Sequence, residues 1–426
     1  MPKQGLRYAA KVDLKKEAYD QPQLHNRWHP DISFCGTIKN NEVVKIQCVD
    51  WTGGQIGNND SADDVRDVDL TRVHYLTGPF EIETAEPGDV LVVEIQDVQP
   101  LQEEPWGFTG IFAKDNGAPK PSGTSKASTA PPATSPASAS PASSTQASWA
   151  APPPPKSSRQ NEREGALIKE CSHMGRDVAL PPLAKNVHVG HGDDKIKEQV
   201  GKEGARTIPG RPEHGGNCDI KNLSRGSKVY LPVHVKGAKF SVGDLHFSQG
   251  DGEISFCGAI EMAGEITIKF TVMKGGVEHL AMKSPIYIPG PVEPQFGPGR
   301  YIYFEGFSVD EKGKQYYLDT TVAYRQTCLR VFEYLRRFGR FCPLNLLHKW
   351  GGFWFLAKLT VGPGYDDYQI YLLLSCAPVQ GHVAGIVDIP NSCTTMGLPM
   401  DIFDFDIRPE AKPEKRDLGS CAFVSS

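Results

Sequence analysis

Two Gly-rich loops carry the residues best suited to chemistry. His214, Asn217 and Asp219 sit on the first; Asp244, His246, Gln249, Asp251 and Glu253 sit on the second. A turn needs Gly, Asn or Asp for its backbone dihedrals, and it has no need of His and Glu as well. Only a short strand and turn separate the two loops, so they can converge on one hydrated site. Imidazole and carboxylate together suit a divalent metal such as zinc. The same groups suit a small polar substrate without a metal, and a pair of solvated hairpin turns would also carry them. No regular motif such as HExxH is present.

Short runs must position these loops. Residues 229–235 (VYLPVHV) and 254–260 are β-branched or aromatic and read as strands. Residues 265–274 continue them as a meander. Upstream, 42–51 (EVVKIQCVDW) reads as a strand with Asp50 at its end, pointing into a Gly/Asn-rich loop. A carboxylate there serves equally as a ligand or as a turn cap. Glu86–Asp89 is a turn and 90–98 (VLVVEIQDV) the strand after it. Residues 301–309 form another strand. The clearest helix is 320–338, where Cys328, Leu329, Phe332 and Leu335 recur every three to four residues. Asp319 caps its start, Gly339 closes its end, and its late arginines suit the macrodipole. Residues 161–170 read as a short helix. Residues 368–376 (YQIYLLLSC) read as a buried strand, and 383–389 and 399–405 as further strands.

The chain has 426 residues, a net charge of −5 and no basic stripe, which argues against nucleic-acid binding. Its 43 glycines and 34 prolines favour many turns and a β-rich fold. The ten cysteines are scattered without a C-x-x-C pair, which argues against a zinc ribbon and fits a reducing compartment. There is no secretory apolar run at the N-terminus and no stretch long enough to span a bilayer, so a soluble cytoplasmic protein is expected. Residues 118–158 are almost all Ala, Pro, Ser and Thr, a composition that cannot offset its ordering entropy; disorder is expected, with polyproline character near 152–155. The expected organisation is a β-rich block over 1–117, this tract over 118–160, and a second β-rich block over 161–426. Within the latter, 340–364 is aromatic-rich without a period of either kind.

Longer runs carry a resemblance. EGARTIPGRPEHGGNCDIKNLSRGS (203–227), VGDLHFSQGDGEISFCGAIEMAG (242–264), the run from YFEGFSVDEKG to YLRRFG (303–339) and the run from YQIYLLLSC to DIFDFDI (368–407) resemble the acetamidase/formamidase family, most closely its fungal formamidases. HNRWHPDI (25–32), VDWTGGQIGNNDSADDV (49–65) and HYLTGPFEIETAEPGDVLVVEI (74–95) extend the resemblance into the first block. Two segments read as foreign text within it. The Pro/Ser/Ala tract stands where the family has a longer ordered segment, and 340–364 interrupts the step from RRFG to YQIYLLL.

The resemblance implies an α+β, β-rich fold of packed sheets and meanders with a few helices, forming a homo-oligomer. It implies hydrolysis of a small amide, formamide foremost, to formate and ammonia. Carried over by motif, the site draws on Asp50, His214, Asn217, Asp219, Asp244, His246 and Glu253. A divalent metal, zinc foremost, held by Asp219, His246 and Asp50, would activate water for attack on the amide carbon. Glu253 would act as general base and then as acid to the leaving ammonia, with Asp244 also placed among the catalytic residues. His214 and Asn217 would polarise the carbonyl oxygen. Two rival readings are a degenerate member serving as an oligomer subunit and a scaffold that recruits partners through the Pro-rich tract.

Overall fold

The structure, a computed structural model, describes residues 5–59, 61–111, 126–130, 144–145, 185–207, 218–255, 258–290, 298–336, 348–350, 353–355, 367–403 and 406–411. They fall into two compact units, one drawn from Met1–Gln249 and Ala259–Pro294, the other from Gly250–Gly258 and Gln295–Ala422. These boundaries differ from the block limits at 117 and 161 read from the sequence. The reason is pairing: strand Lys228–Pro232, from beyond the Pro/Ser/Ala tract, lies antiparallel to Val90–Pro100, from before it.

The fold is sheet-rich with few helices, as expected. In the first unit a six-stranded sheet runs in the order Arg7–Ala10, Val43–Cys48, Gly264–Met273, Val90–Pro100, Lys228–Pro232, Ile286–Ile288. The strand after Glu261 therefore does not simply extend a meander. Gly264–Met273 inserts between two strands from the N-terminal part of the chain and pairs with both. Along Val43–Cys48 every second residue is buried, so Val44, Ile46 and Cys48 point to the core, as a period of two requires. A smaller sheet of Phe240–Val242, Leu76–Ile82 and Leu24–His25, with Gly36–Ile38 alongside Leu76–Ile82, shares that core. Phe240 and Phe270, one from each sheet, meet edge to face with ring centroids 4.7 Å apart.

A third sheet positions the site. Its order is Ser144–Thr145, Leu245–Ser248, Ile260–Met262, Gly107–Ile111, Lys126–Ala130. Both outer strands come from the tract expected to be disordered. Sheet edges recruit through backbone groups, which Ser, Thr and Ala supply as well as any residue. The rest of 118–158, and the helix expected at 161–170, lie outside the described residues. The run 254–260 is a turn rather than a strand where described; pairing begins only at Ile260.

In the second unit Tyr301–Phe307, Cys393–Pro399 and Gln380–Gly385 form a three-stranded sheet against helix Thr320–Arg336. Asp319 Oδ1 accepts from the backbone N–H groups of Thr321 and Val322, the expected cap. Gly306 lets the helix close on the sheet, since a Cβ there would lie 2.5 Å from the Ala323 carbonyl oxygen. The run read as a buried strand at 368–376 is instead helix Asp367–Cys376. Its apolar residues are continuous, so neither period stands out, and Ile370 and Leu374 bury one face at helical spacing. The strand expected at 383–389 is shifted to Gln380–Gly385, and the one at 399–405 gives way to a 3-10 turn, Met400–Ile402, after strand Cys393–Pro399. Of 340–364, the described parts are two paired strands, His348–Trp350 and Phe353–Phe355.

Candidate functional site

The site is built on one strand pair. Leu245–Ser248 and Ile260–Met262 run antiparallel with His246 directly opposite Glu261. Asp244 lies two residues before His246, just ahead of the strand. Its backbone is left-handed at φ +61°, a conformation that Asp tolerates better than most residues. The three side chains meet in the interior, where Asp244 is 5 %, His246 1 % and Glu261 4 % exposed. His246 Nε2 lies 2.9 Å from Glu261 Oε2 and 3.5 Å from Asp244 Oδ1. One donor atom from each residue falls within 4.8 Å of the other two.

Further residues hold this group from outside. His74 Nδ1 lies 3.3 Å from the other Asp244 oxygen, Oδ2, and its ring packs 5.0 Å from that of Trp51. The His74 backbone is pinned on both sides by Thr207, whose hydroxyl accepts from the His74 N–H and donates to its carbonyl. Gln249, fully buried, reaches His246 Nδ1 with Oε1 at 3.3 Å and donates Nε2 to the Asp219 carbonyl at 2.5 Å.

The electrostatics follow from burial and proximity. Burial pushes Glu261 up to about 8, with His246 pulling down and Asp244 pushing up again. Burial works to lower His246, but Glu261 and Asp244 hold it well above the ordinary imidazole value. Asp244 ends below the usual carboxylate range because His74 and His246 outweigh its desolvation. Two carboxylates and an imidazole packed this closely retain a proton unless a cation takes its place.

That arrangement fits a divalent cation. Asp244 Oδ1, His246 Nε2 and Glu261 Oε2 are buried, make no hydrogen bond, and aim at one another. Two carboxylates and a neutral imidazole carry two negative charges, which such an ion balances. Mixed N/O donors suit zinc and several other divalent ions.

The other predicted residues have different surroundings. The Asp50 carboxylate accepts from the Thr52 N–H at 2.8 Å, the Thr52 hydroxyl at 2.5 Å and the Gly54 N–H at 2.9 Å, the geometry of a turn cap. Burial raises its pKa, these hydrogen bonds lower it, and Asp244 adds to the rise. Asp219 is half-buried, offers its carbonyl to Gln249, and is felt electrostatically by His74. Neither belongs to the three-residue group. Glu253 lies in the second unit, left-handed at φ +38°, with its side chain folded over Gly258, where a Cβ would sit 2.6 Å from Glu253 Oε1. His214 and Asn217 lie outside the described residues. Glu261 and His74 escaped the sequence reading. Glu261 lies one residue beyond a run misread as a strand, and its pairing with His246 depends on a register that no local pattern encodes.

A buried carboxylate–imidazole–carboxylate group on a sheet scaffold is an arrangement that could hold a divalent cation. The sequence model of the Acetamidase/Formamidase family matches residues 11–341 and 356–405, and the chain belongs to that family. The match runs through the Pro/Ser/Ala tract and omits 342–355, inside the atypical stretch. A Schizosaccharomyces pombe protein provisionally named a formamidase is 59% identical over 432 residues, covering 99% of each chain. A formamidase of Methylophilus methylotrophus is 44% identical over 422 residues, covering 96% of this chain and 97% of its own. Among solved structures, the gamma lactamase from Delftia acidovorans superposes with a TM-score of 0.82 at 43% identity, covering 98% of each chain.

Proposed function

We propose that this chain is an amidohydrolase that cleaves formamide, or a similarly short linear amide, to the carboxylic acid and ammonia. The observation that carries the proposal is the buried Asp244–His246–Glu261 group in a chain whose relatives are named for amide hydrolysis. A divalent cation held there, zinc foremost, supplies Lewis acidity toward the amide oxygen and toward water. Asp244, His246 and Glu261 hold it, with Asp50 and Asp219 nearby shaping the field.

Hydrolysis forms one C–O bond and breaks the C–N bond. Glu253 accepts the proton that the attacking water sheds and returns it to the departing nitrogen, so ammonia leaves as a neutral molecule. His214 and Asn217 donate hydrogen bonds to the carbonyl oxygen as charge builds on it. His74 steadies Asp244 through its second oxygen.

The proposal places the enzyme in the cytoplasm as a homo-oligomer. Cys35, Cys48 and Cys328 are free thiols that burial pushes up to about 12, which suits a reducing compartment. Among the described residues no helix is long and apolar enough to cross a membrane. Val383, Ile386, Val387 and Ile389 are exposed by 51–69%, an apolar stretch suited to a subunit interface.

The test is ammonia release from formamide and acetamide by purified protein, with metal content determined on the same sample. Release from formamide well above that of Glu253→Gln supports the assignment. A folded, metal-loaded sample that releases nothing overturns it. A fully active Glu253→Gln enzyme removes Glu253 from its role.

A further inference from the structure

We propose that Gln249 is a positioning residue. It holds the His246 imidazole as the Nδ1–H tautomer and thereby presents Nε2, as a lone pair, to the space between Asp244 and Glu261. This rests on the reading of that space as a divalent-cation site.

The argument begins with a group whose polarity is fixed. Gln249 Nε2 lies 2.5 Å from the backbone carbonyl of Asp219. A carbonyl oxygen only accepts, so the amide nitrogen must face it and the amide oxygen must face the other way. That oxygen lies 3.3 Å from His246 Nδ1. An amide oxygen also only accepts, so Nδ1 must carry a hydrogen. The orientation of the amide is therefore set by chemistry, without the usual ambiguity between its two ends. Polarity passes in one direction, from a backbone carbonyl through a side-chain amide to an imidazole, and ends at Nε2.

Nε2 then faces Glu261 Oε2 at 2.9 Å and Asp244 Oδ1 at 3.5 Å. A metal-ligating histidine commonly donates its second ring N–H to an acceptor, which fixes ring orientation and tautomer. Gln249 fills that role with a neutral acceptor. A glutamate would set one of its oxygens against the Asp219 carbonyl, two acceptors in contact. An apolar residue of the same length would leave Nδ1 without an acceptor and the ring free to present either nitrogen. Gln249 is 0% exposed, so water cannot readily substitute for it. The sequence places it three residues after His246, at the end of strand Leu245–Ser248, where the chain turns and the side chain can reach back.

The experiment uses the full chain with zinc as the probe. Zinc affinity is measured by competition with a chromophoric chelator for the unaltered protein, Gln249→Met and His246→Ala, and melting of each metal-free protein is followed in parallel. The expected result is about 10–100-fold weaker binding in Gln249→Met, a larger loss in His246→Ala, and a metal-free Gln249→Met that still folds, with melting lowered as the loss of two buried hydrogen bonds requires. Unchanged zinc affinity in a folded Gln249→Met overturns the positioning role while leaving the cation site standing. Failure of the unaltered protein to bind zinc, or full binding by His246→Ala, overturns the cation reading and this proposal with it. If Gln249→Met does not fold, the imidazole 15N shifts of His246 in the unaltered, zinc-loaded protein decide. A proton on Nδ1 supports the proposal, and a proton on Nε2 overturns it.

Discussion

Ser375, near the end of helix Asp367–Cys376, donates its hydroxyl to the carbonyl of Gly258 at 2.5 Å and accepts from the N–H of Ser255 at 3.1 Å. The Ser375 side chain thus holds the arm of the loop after Glu253, while its carbonyl accepts from the Gly250 N–H at 2.7 Å on the arm before it. Residue 375 would sit elsewhere if 368–376 were the strand that its composition suggests. Ser375→Ala leaves a buried N–H and a buried carbonyl without this partner, at a cost of about 1–3 kcal/mol. Lower melting together with slower formamide turnover is expected. Unchanged turnover in a variant that melts several degrees lower would show that the clamp supports the fold without placing Glu253.

Glu261→Gln tests the residue that the sequence reading missed. The amide keeps the shape of the carboxylate but removes a charge from a site that needs two. Zinc affinity should fall by more than the roughly 10–100-fold typical of losing an outer partner, and turnover should fall with it. Equilibrium metal binding and formamide hydrolysis on one preparation check this. Retained zinc binding would remove Glu261 from the ligand set.

Acid sensitivity should come from His25, which lies outside the cation group. Burial depresses its pKa from 6.5 to about 3, only partly offset by its hydrogen bond to the Arg27 carbonyl. The folded state keeps His25 neutral while the unfolded chain takes up a proton below about 6.5. Its contribution is therefore complete above that value and is lost as pH falls toward 3, by up to ~1.4 kcal/mol per pH unit. His188 is shifted the same way by burial. In His25→Gln the acid limb of a melting-temperature profile should be shallower. An unchanged slope would assign acid sensitivity to other groups.

The exposed stretch after Gln380–Gly385 should govern assembly. Val387 and Ile389 are 68% and 69% exposed, unusual for aliphatic side chains on a stable monomer. Ile389→Asp should shift the protein toward smaller species in light scattering after size exclusion, with circular dichroism unchanged. An unaltered mass would place any subunit interface elsewhere.

Much was legible locally. Strands Val43–Cys48, Val90–Pro100 and Tyr301–Phe307 follow from β-branched and aromatic runs bounded by turn residues, and helix Thr320–Arg336 from its spacing and the Asp319 cap. Asp244 and His246 were legible as candidate site residues because an imidazole beside carboxylates is more than a turn needs for its dihedrals. These signals depend only on near neighbours in the chain.

What the tertiary structure decided is contact between distant segments. Glu261 meets His246 through a strand register set across an intervening loop, and His74 reaches Asp244 from a segment 170 positions earlier. Gly264–Met273 joins N-terminal strands because a sheet pairs by backbone hydrogen bonds, which carry no mark of their partner. The run at 368–376 is ambiguous in sequence because its continuous apolar residues erase the periodicity that distinguishes helix from strand; in the structure it is a helix that buries Ile370 and Leu374 while Tyr368 stays exposed. Residue types therefore determined which chemistry this chain could hold, and packing decided which carboxylates stand beside His246.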